Sequence, residues 1–463
     1  MTTDALTRLK EALGPDGWTQ DPDRVAPKLT EWRGRWTGET PLLLLPRTTA
    51  DVSIAVTICA ETGTPVTPQG GGTGLVGGQI PQGEVLISTE RLRAIREVAP
   101  LDDAIVVGAG ATLASVQQAA AAADRFFPLS LASEGSATIG GLISTNAGGT
   151  AVLRYGTMRD LVLGLEAVLP NGAVFNGLKR LRKDVSGYDL KQLLIGAEGT
   201  LGIVSAASLK LFPVLRSRAV AVAGLRSAQD AIELLARAKA ESGGALEAFE
   251  LMGRFGLELV FKHIPGARDP LAERHPWYVL MEVAAAAEAE AALERVLAAA
   301  FEADLIQDAA LARSEADAQA FWRLREEHSA AEKPEGACWK HDISVPVSRM
   351  ADFIERGTAM IKRTAPGARV VAFGHVGDGN VHFNVIQPVG ADPAAHMAAG
   401  EAGSRAVHDL AHDLGGSLSA EHGLGVLKSA EALRYKSEAE VVALRAVRAA
   451  LDPKLIMNPR VLF

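Results

Sequence analysis

The chain has 463 residues, 48% hydrophobic and 22% charged, with a net charge of −8. That length holds several domains with ample core, and the acidic balance excludes the electrostatic footprint of a nucleic-acid binder. The longest aliphatic run, residues 42–45, is far too short to span a bilayer, and residues 1–6 lack the basic and apolar regions of an export signal. Cys59 and Cys338, the only cysteines, offer neither a disulfide framework nor a cysteine metal site, so a cytoplasmic location is expected.

The spacing predicts a helix over residues 5–13, capped by Asp4 and stopped by Gly14-Pro15, then a polar connection to about residue 40. Residues 41–46 read as a buried strand. Val52, Ile54, Ala55, Ile58 and Cys59 repeat at helical spacing over 49–61. Pro65-Val66-Thr67-Pro68 then leads into Gln69-Gly70-Gly71-Gly72-Thr73-Gly74-Leu75-Val76-Gly77-Gly78. Such a run has too few side chains to pack a core. Its glycines let several backbone N–H groups approach one anion, and the diphosphate of a dinucleotide is the reading adopted here. Gly72-Thr73-Gly74-Leu75-Val76-Gly77 matches G-x-G-x-x-G, yet a nicotinamide Rossmann site needs a helix to open there. Gly78-Gln79-Ile80-Pro81-Gln82-Gly83 will not propagate one. Short strands over 84–88 and 104–107 and a helix over 113–123 follow, the alternation of an α/β or α+β domain.

Two further glycine-rich regions, residues 133–149 and 187–204, alternate small, hydroxyl and apolar residues, which suits backbone pressed against an extended ligand. After Phe212-Pro213 the texture changes, and a separate domain is expected from near Arg216. It carries strands over 219–224 and 278–283, an Ala-rich helix over 284–300 and helical sequence to about Glu332. A strand bearing Lys340, His341 and Asp342 follows, then a helix over 347–363. Residues 369–386 read as strand–turn–strand with a polar turn at Asp378-Gly379-Asn380.

His375 and His382 flank that turn, where two imidazoles can converge on one ion, and Glu421-His422 in a glycine-bordered loop can add a carboxylate and an imidazole. Two histidines and a carboxylate make a catalytic metal set with open positions. Strand and loop residues satisfied by backbone hydrogen bonds are the other reading, and spacing alone leaves both open. His408 and His412 stand four apart on an apolar helical pattern without the glutamate of a metalloprotease motif, and read as a helix face. His263, His275, His328, His341 and His396 read as surface or structural. Arg325 can grip a carboxylate with two hydrogen bonds and Lys340 can add a point charge, although taken alone each reads as an ordinary solvated charge.

Residues 68–78, the run Leu181-Arg182-Lys183-Asp184 through Gly187-Tyr188-Asp189-Leu190-Lys191-Gln192-Leu193, residues 196–203, 374–384 and 419–425, and the terminal Met457-Asn458-Pro459 occur in one order. With them the chain resembles flavoproteins of vanillyl-alcohol oxidase type, and within these the D-2-hydroxyacid dehydrogenases, from about residue 40 to the end. The resemblance implies an α+β fold: a two-part FAD-binding domain over residues 1–215, an inserted α+β substrate or cap domain over 216–420, and a C-terminal segment over 421–463 that returns to the flavin. It implies FAD contacts at Pro68, Gly70, Gly71, Gly72, Thr73, Gly74, Gly135, Thr138, Gly141, Thr145, Asn146, Glu198, Ile203 and Asn458. The FAD is expected to be non-covalent, because the first glycine loop lacks a histidine. His375, His382 and Glu421 are implied as ligands of a divalent metal, zinc first, with manganese and cobalt as alternatives.

By the same resemblance Arg325, Ser329 and Lys340 hold the substrate's carboxylates, Ser329 standing where a threonine is expected. Asn384 touches the substrate, and His422 both touches it and acts as the base. The implied reaction oxidises a small D-2-hydroxy diacid, such as 2-hydroxyglutarate or malate, to the 2-keto acid, with hydride transfer to flavin N5. Electron-transfer flavoprotein or a quinone is the implied electron acceptor, and a homodimer is one possible assembly. A D-lactate dehydrogenase or glycolate oxidase subunit is the nearest alternative. Two cations set for a second carboxylate favour the diacid. A non-catalytic flavin- or metal-binding regulator is a more distant alternative.

Overall fold

The computed structural model describes residues 3–462. The chain divides into two compact units. One takes the chain up to Gly149, Tyr155–Val214 and the stretch from Glu421 onward; the other takes Thr150–Arg154 and Leu215–Ala420.

The first unit holds two main sheets. In one, Leu43–Leu44, Val85–Ser88 and Val66–Gln69 run parallel, with Trp18–Thr19 antiparallel at the edge. The helix Thr49–Thr62 joins Leu43–Leu44 to Val66–Gln69, which lie on either side of Val85–Ser88. A reciprocal Thr48–Asp51 capping box starts that helix, and Gly63 at φ +66° ends it. The other sheet is antiparallel, in the order Ile95–Ala99, Ala104–Gly108, Ile203–Lys210, Val162–Val168, Val174–Gly177. The end of the chain comes back to the first sheet: Val66 N–H donates to Ile456 O and Asn458 N–H to Val66 O, each at 2.8 Å, and Ile456 and Met457 are buried with Val52 and Val85.

The second unit is built on an eight-stranded sheet. Its order is Asp308–Leu311, Ser217–Leu225, Trp277–Ala285, Leu246–Gly253, Arg369–His375, Asn380–Ile386, Cys338–Trp339, and Asp342–Ser344 also pairs with Asn380–Ile386. Alternate residues face opposite ways. Ala221, Leu251, Met281 and Phe383 pack on one face against helices Ala228–Glu241, Ala289–Glu302, Met350–Thr364 and Pro393–Asp413. Val222, Met252, Leu280 and Phe373 pack on the other, under helices Arg254–His263 and Glu315–Glu326.

Three local expectations need correction. The stretch read as polar connection contains the helix Pro22–Leu29, which Asp21 caps and whose first residue is a proline. The Ala-rich helix starts at Ala289, not 284, because Ala284 and Ala285 are paired with Arg218 and Ser217 in the sheet. Ladder pairing there outweighs alanine's helix preference. The expected strand through Lys340 is two short strands, Cys338–Trp339 and Asp342–Ser344, with Lys340 and His341 between them.

Candidate active site

In the first unit the glycine run turns through bends without opening a helix, and the strand Val85–Ser88 follows it. Gly72 and Gly77 sit at φ +73° and +76°. A Cβ on Gly71 would overlap the Ser136 carbonyl, and one on Gly70 would overlap the Thr138 hydroxyl, so the first two glycine regions are in direct contact. Among the described residues, the N–H groups of Gly71, Gly72, Thr73 and Gly74 donate to no protein acceptor, and the buried Thr138 Oγ1 has no partner. Unpaired backbone donors beside an orphaned hydroxyl fit the diphosphate of FAD.

The neighbouring residues are more committed. Asn146, at φ +49°, accepts from Thr157 Oγ1 at 3.0 Å and Arg159 N–H at 2.9 Å. Thr145 Oγ1 donates back to Gly141 O at 3.1 Å. Ile203 is buried at the start of its strand, Pro68 packs where Gly199 lacks a side chain, and Gly135 stands at an open turn. Asn458 Nδ2 donates to Gly78 O at 3.0 Å and Glu198 O at 2.9 Å, while its buried Oδ1 has no partner. The Glu198 carboxylate accepts the N–H groups of Leu424 and Gly425, both at 2.8 Å. Burial pushes its pKa up against those two donors. Its visible work is to hold the loop that follows His422.

In the second unit four polar residues share one face of the sheet. Glu250 lies opposite His375, and His382 opposite Phe373. Asn384 is two residues beyond His382 on the same strand. His375 Nδ1 is 2.6 Å from Glu250 Oε1, and Arg325 Nε donates to Glu250 Oε2 at 2.7 Å. Arg325 comes from the last turn of Glu315–Glu326, its guanidinium 4.8 Å from the Phe373 ring, with Nη2 3.4 Å from His375 Nε2. Glu250 is 1% exposed; burial raises its pKa, but His375 and Arg325 outweigh that and hold it below the usual range. An anionic Glu250 accepts the His375 Nδ1 proton and leaves Nε2 as the ligating atom.

The register brings Lys340 opposite Asn384. Both meet Glu332, which is 1% exposed: Lys340 Nζ donates to Oε2 at 2.7 Å, and Asn384 Nδ2 lies 2.9 and 3.0 Å from the two oxygens. Lys340 and Arg325 are therefore not simple solvated charges, and each already has a buried carboxylate. Neither glutamate stands out in the sequence. The strand Leu246–Gly253 carries two buried acids, Glu247 and Glu250, and nothing local sets Glu250 apart. Ser329 is exposed on the short helix His328–Ala331, four residues after Arg325.

The His375 and His382 rings stand edge to face with centroids 6.0 Å apart on the second unit's sheet, and Glu421 is the carboxylate assigned to join them. Ala420 N–H donates to Asp342 O at 3.2 Å within the second unit, and Asp342 pairs with His382. Two imidazoles and a carboxylate, one imidazole oriented by a second carboxylate, are a donor set for a divalent cation. His422 follows Glu421 and is half-buried. Of the histidines read as surface or structural, His341 bonds Phe383 O and Ser404, His396 stacks on Trp339 at 4.4 Å, and His328 bonds Leu324 O.

Comparison with known proteins decides the family. Residues 40–177 match the FAD binding domain, and residues 214–462 match the C-terminal domain of FAD linked oxidases. The chain belongs to the FAD-linked oxidases, in the branch of the D-2-hydroxyglutarate dehydrogenases. It is 38% identical to a probable mitochondrial D-2-hydroxyglutarate dehydrogenase of Oryza sativa subsp. japonica, over 99% of this chain and 81% of that one. It is 36% identical to the D-2-hydroxyglutarate dehydrogenase of Xanthomonas citri pv. viticola, over 100% and 98%. The solved structure of p-cresol methylhydroxylase superposes with a TM-score of 0.75 at 14% identity, over 99% of this chain and 96% of that one, which shows the vanillyl-alcohol oxidase fold. The chain is an FAD-dependent oxidoreductase, and its fold is the α+β fold expected. Among the described residues no helix is long and apolar enough to cross a membrane.

Proposed function

We propose that this chain oxidises D-2-hydroxyglutarate, and by extension D-malate, to the 2-keto acid, with non-covalent FAD and a divalent metal, zinc first, at His375, His382 and Glu421. The observation that carries this reading is the single sheet face on which the His375–His382 pair stands beside Asn384 and Lys340, with Arg325 reaching in from the covering helix. The names of the relatives support the substrate. When bound, FAD supplies a hydride acceptor and the metal supplies a Lewis acid toward the 2-hydroxyl and its neighbouring carboxylate.

The chain's own residues do the rest. His422 removes the hydroxyl proton, a task to which an imidazole is suited near neutral pH. The C2 hydrogen leaves with its electron pair, and the C2–O bond becomes a carbonyl. Arg325 keeps Nη1 for the substrate, since among the described residues only Nε and Nη2 have partners. Lys340 uses one of three ammonium donors on Glu332. Ser329 offers a hydroxyl and Asn384 an amide.

Residues 1–215 then hold FAD, 216–420 the substrate, and 421–463 complete both. An electron-transfer flavoprotein or a quinone takes the electrons, and a homodimer is the assembly proposed. A cytoplasmic location is in line with cysteines that form no disulfide. A second reading, oxidation of D-lactate, is favoured by one observation: Arg325 and Lys340 each already face an internal carboxylate. The test is turnover of D-2-hydroxyglutarate, L-2-hydroxyglutarate and D-lactate with a dye acceptor, assaying the keto acid. The D-diacid should be preferred, and His422→Ala should cut its turnover by about 10² to 10⁴-fold. Turnover of D-lactate alone would reject the diacid reading.

A further inference from the structure

The two cations assigned to the substrate are matched by two carboxylates of the chain itself: Arg325 by Glu250 and Lys340 by Glu332. The two pairs differ. Glu250 also orients His375, so its charge has a use at the metal set. Glu332 has no such second use. Its partners among the described residues are Lys340 Nζ and Asn384 Nδ2, the donors that the remote end of a diacid would need. It is 1% exposed, and so cannot be relieved by solvent where it stands.

Resting on the function proposed above, we infer that Glu332 is a specificity-determining residue. Its carboxylate occupies the place of a substrate carboxylate and limits how strongly a second acid group is bound. Asn384 is two residues from His382 on one strand face, about 7 Å along the strand. A 2-hydroxy acid held at the histidines therefore reaches Lys340 only with its far end. A monoacid such as D-lactate leaves the Lys340–Glu332 pair untouched. A diacid brings a second negative charge to a lysine that is already neutralised, and like charges a few ångströms apart in a partly buried site repel strongly. Glu332 thus narrows the preference for diacids that Lys340 and Arg325 create.

Positioning and repulsion give opposite signs on substitution, which makes the inference testable. Glutamine at 332 removes the charge and keeps a carbonyl acceptor for Lys340. The experiment is steady-state oxidation of D-2-hydroxyglutarate and of D-lactate with a dye acceptor, by the wild-type holoenzyme, Glu332→Gln and Glu332→Asp. The ratio of kcat/KM for diacid over monoacid should rise about tenfold or more in Glu332→Gln, through KM of the diacid and not through kcat. Glu332→Asp, which keeps the charge, should stay near the wild-type ratio. A ratio that falls or does not move in Glu332→Gln would overturn the inference, because a merely structural or lysine-positioning glutamate predicts that result.

If Glu332→Gln does not fold, Lys340→Met is compared with the double variant Lys340→Met/Glu332→Gln. Lys340 is gone from both, so a lower diacid KM in the double variant supports repulsion, and an equal or higher one rejects it. A wild-type holoenzyme that oxidises neither acid would instead sink the underlying function, a result distinct from an unmoved ratio.

Discussion

At the residue scale, the candidate site holds two buried glutamates that no motif announces. Glu250 couples His375 to Arg325 through its two oxygens. A carboxylate that fixes the tautomer of a metal-ligating histidine commonly contributes 10–100-fold to affinity. Glu250→Gln should therefore weaken metal binding by about that factor, measured by titrating the stripped protein with Zn²⁺; unchanged affinity would remove Glu250 from that role. His375, His382, Arg325, Lys340 and Asn384 were legible as candidates because a resemblance to a family picked them out of ordinary-looking surroundings. Their own spacing left the bland readings open. Glu250 and Glu332 were not legible: the partners of Glu250 lie 75 and 125 residues away in sequence, and Glu332 meets Lys340, eight residues on, only through the pairing that also brings in Asn384, 52 residues away. An acid in an otherwise apolar strand or at a helix end carries no sign of what it will meet.

At the scale of elements, the glycine loop and the strand pair around the turn at 376–379 were readable because each rests on a local rule. Glycine allows close backbone approach, and alternation puts His382 and Asn384 on one face. The loop also gives a direct test. Gly71→Ala drives a methyl group into the Ser136 carbonyl, and overpacking of this kind costs about 1–3 kcal/mol. The flavin-to-protein absorbance ratio after gel filtration should fall in this variant, with circular dichroism retained. A full ratio would mean that the loop can shift without losing FAD. Elements whose formation depends on distant pairing were misread. Ala284 and Ala285 belong to a strand because Ser217 and Arg218 lie alongside, and composition alone favours a helix there.

At the scale of the whole molecule, the order of the glycine regions, the histidine turn and the terminal Asn458 was enough to give the fold class. The division of the chain was not fully readable: Thr150–Arg154 lies within the first half yet belongs with the second unit. Arg154 explains why, since its Nη1 donates to Ala284 O at 2.6 Å on that unit's sheet. Stability of the second unit should depend on acid through His328. Burial, with the nearby Arg325 charge adding to it, lowers its pKa to about 3. In the unfolded chain the value is about 6.5. Between those values the unfolded state binds more protons, so stability falls as pH drops from about 6.5 toward 3. His328→Leu should flatten the fall of Tm over that window, whatever it does to Tm itself; an unchanged slope would rule out His328 as the cause. The function proposed above requires that one protein join FAD, a divalent metal and a D-2-hydroxy diacid. The most direct measurement is the visible spectrum of the purified holoenzyme under anaerobic addition of D-2-hydroxyglutarate, with and without prior chelation. The flavin spectrum should bleach with the D-acid, fail to bleach after the metal is stripped, and recover its response on Zn²⁺ addition. A flavin that the D-acid leaves oxidised in the metal-loaded protein would contradict the proposed function.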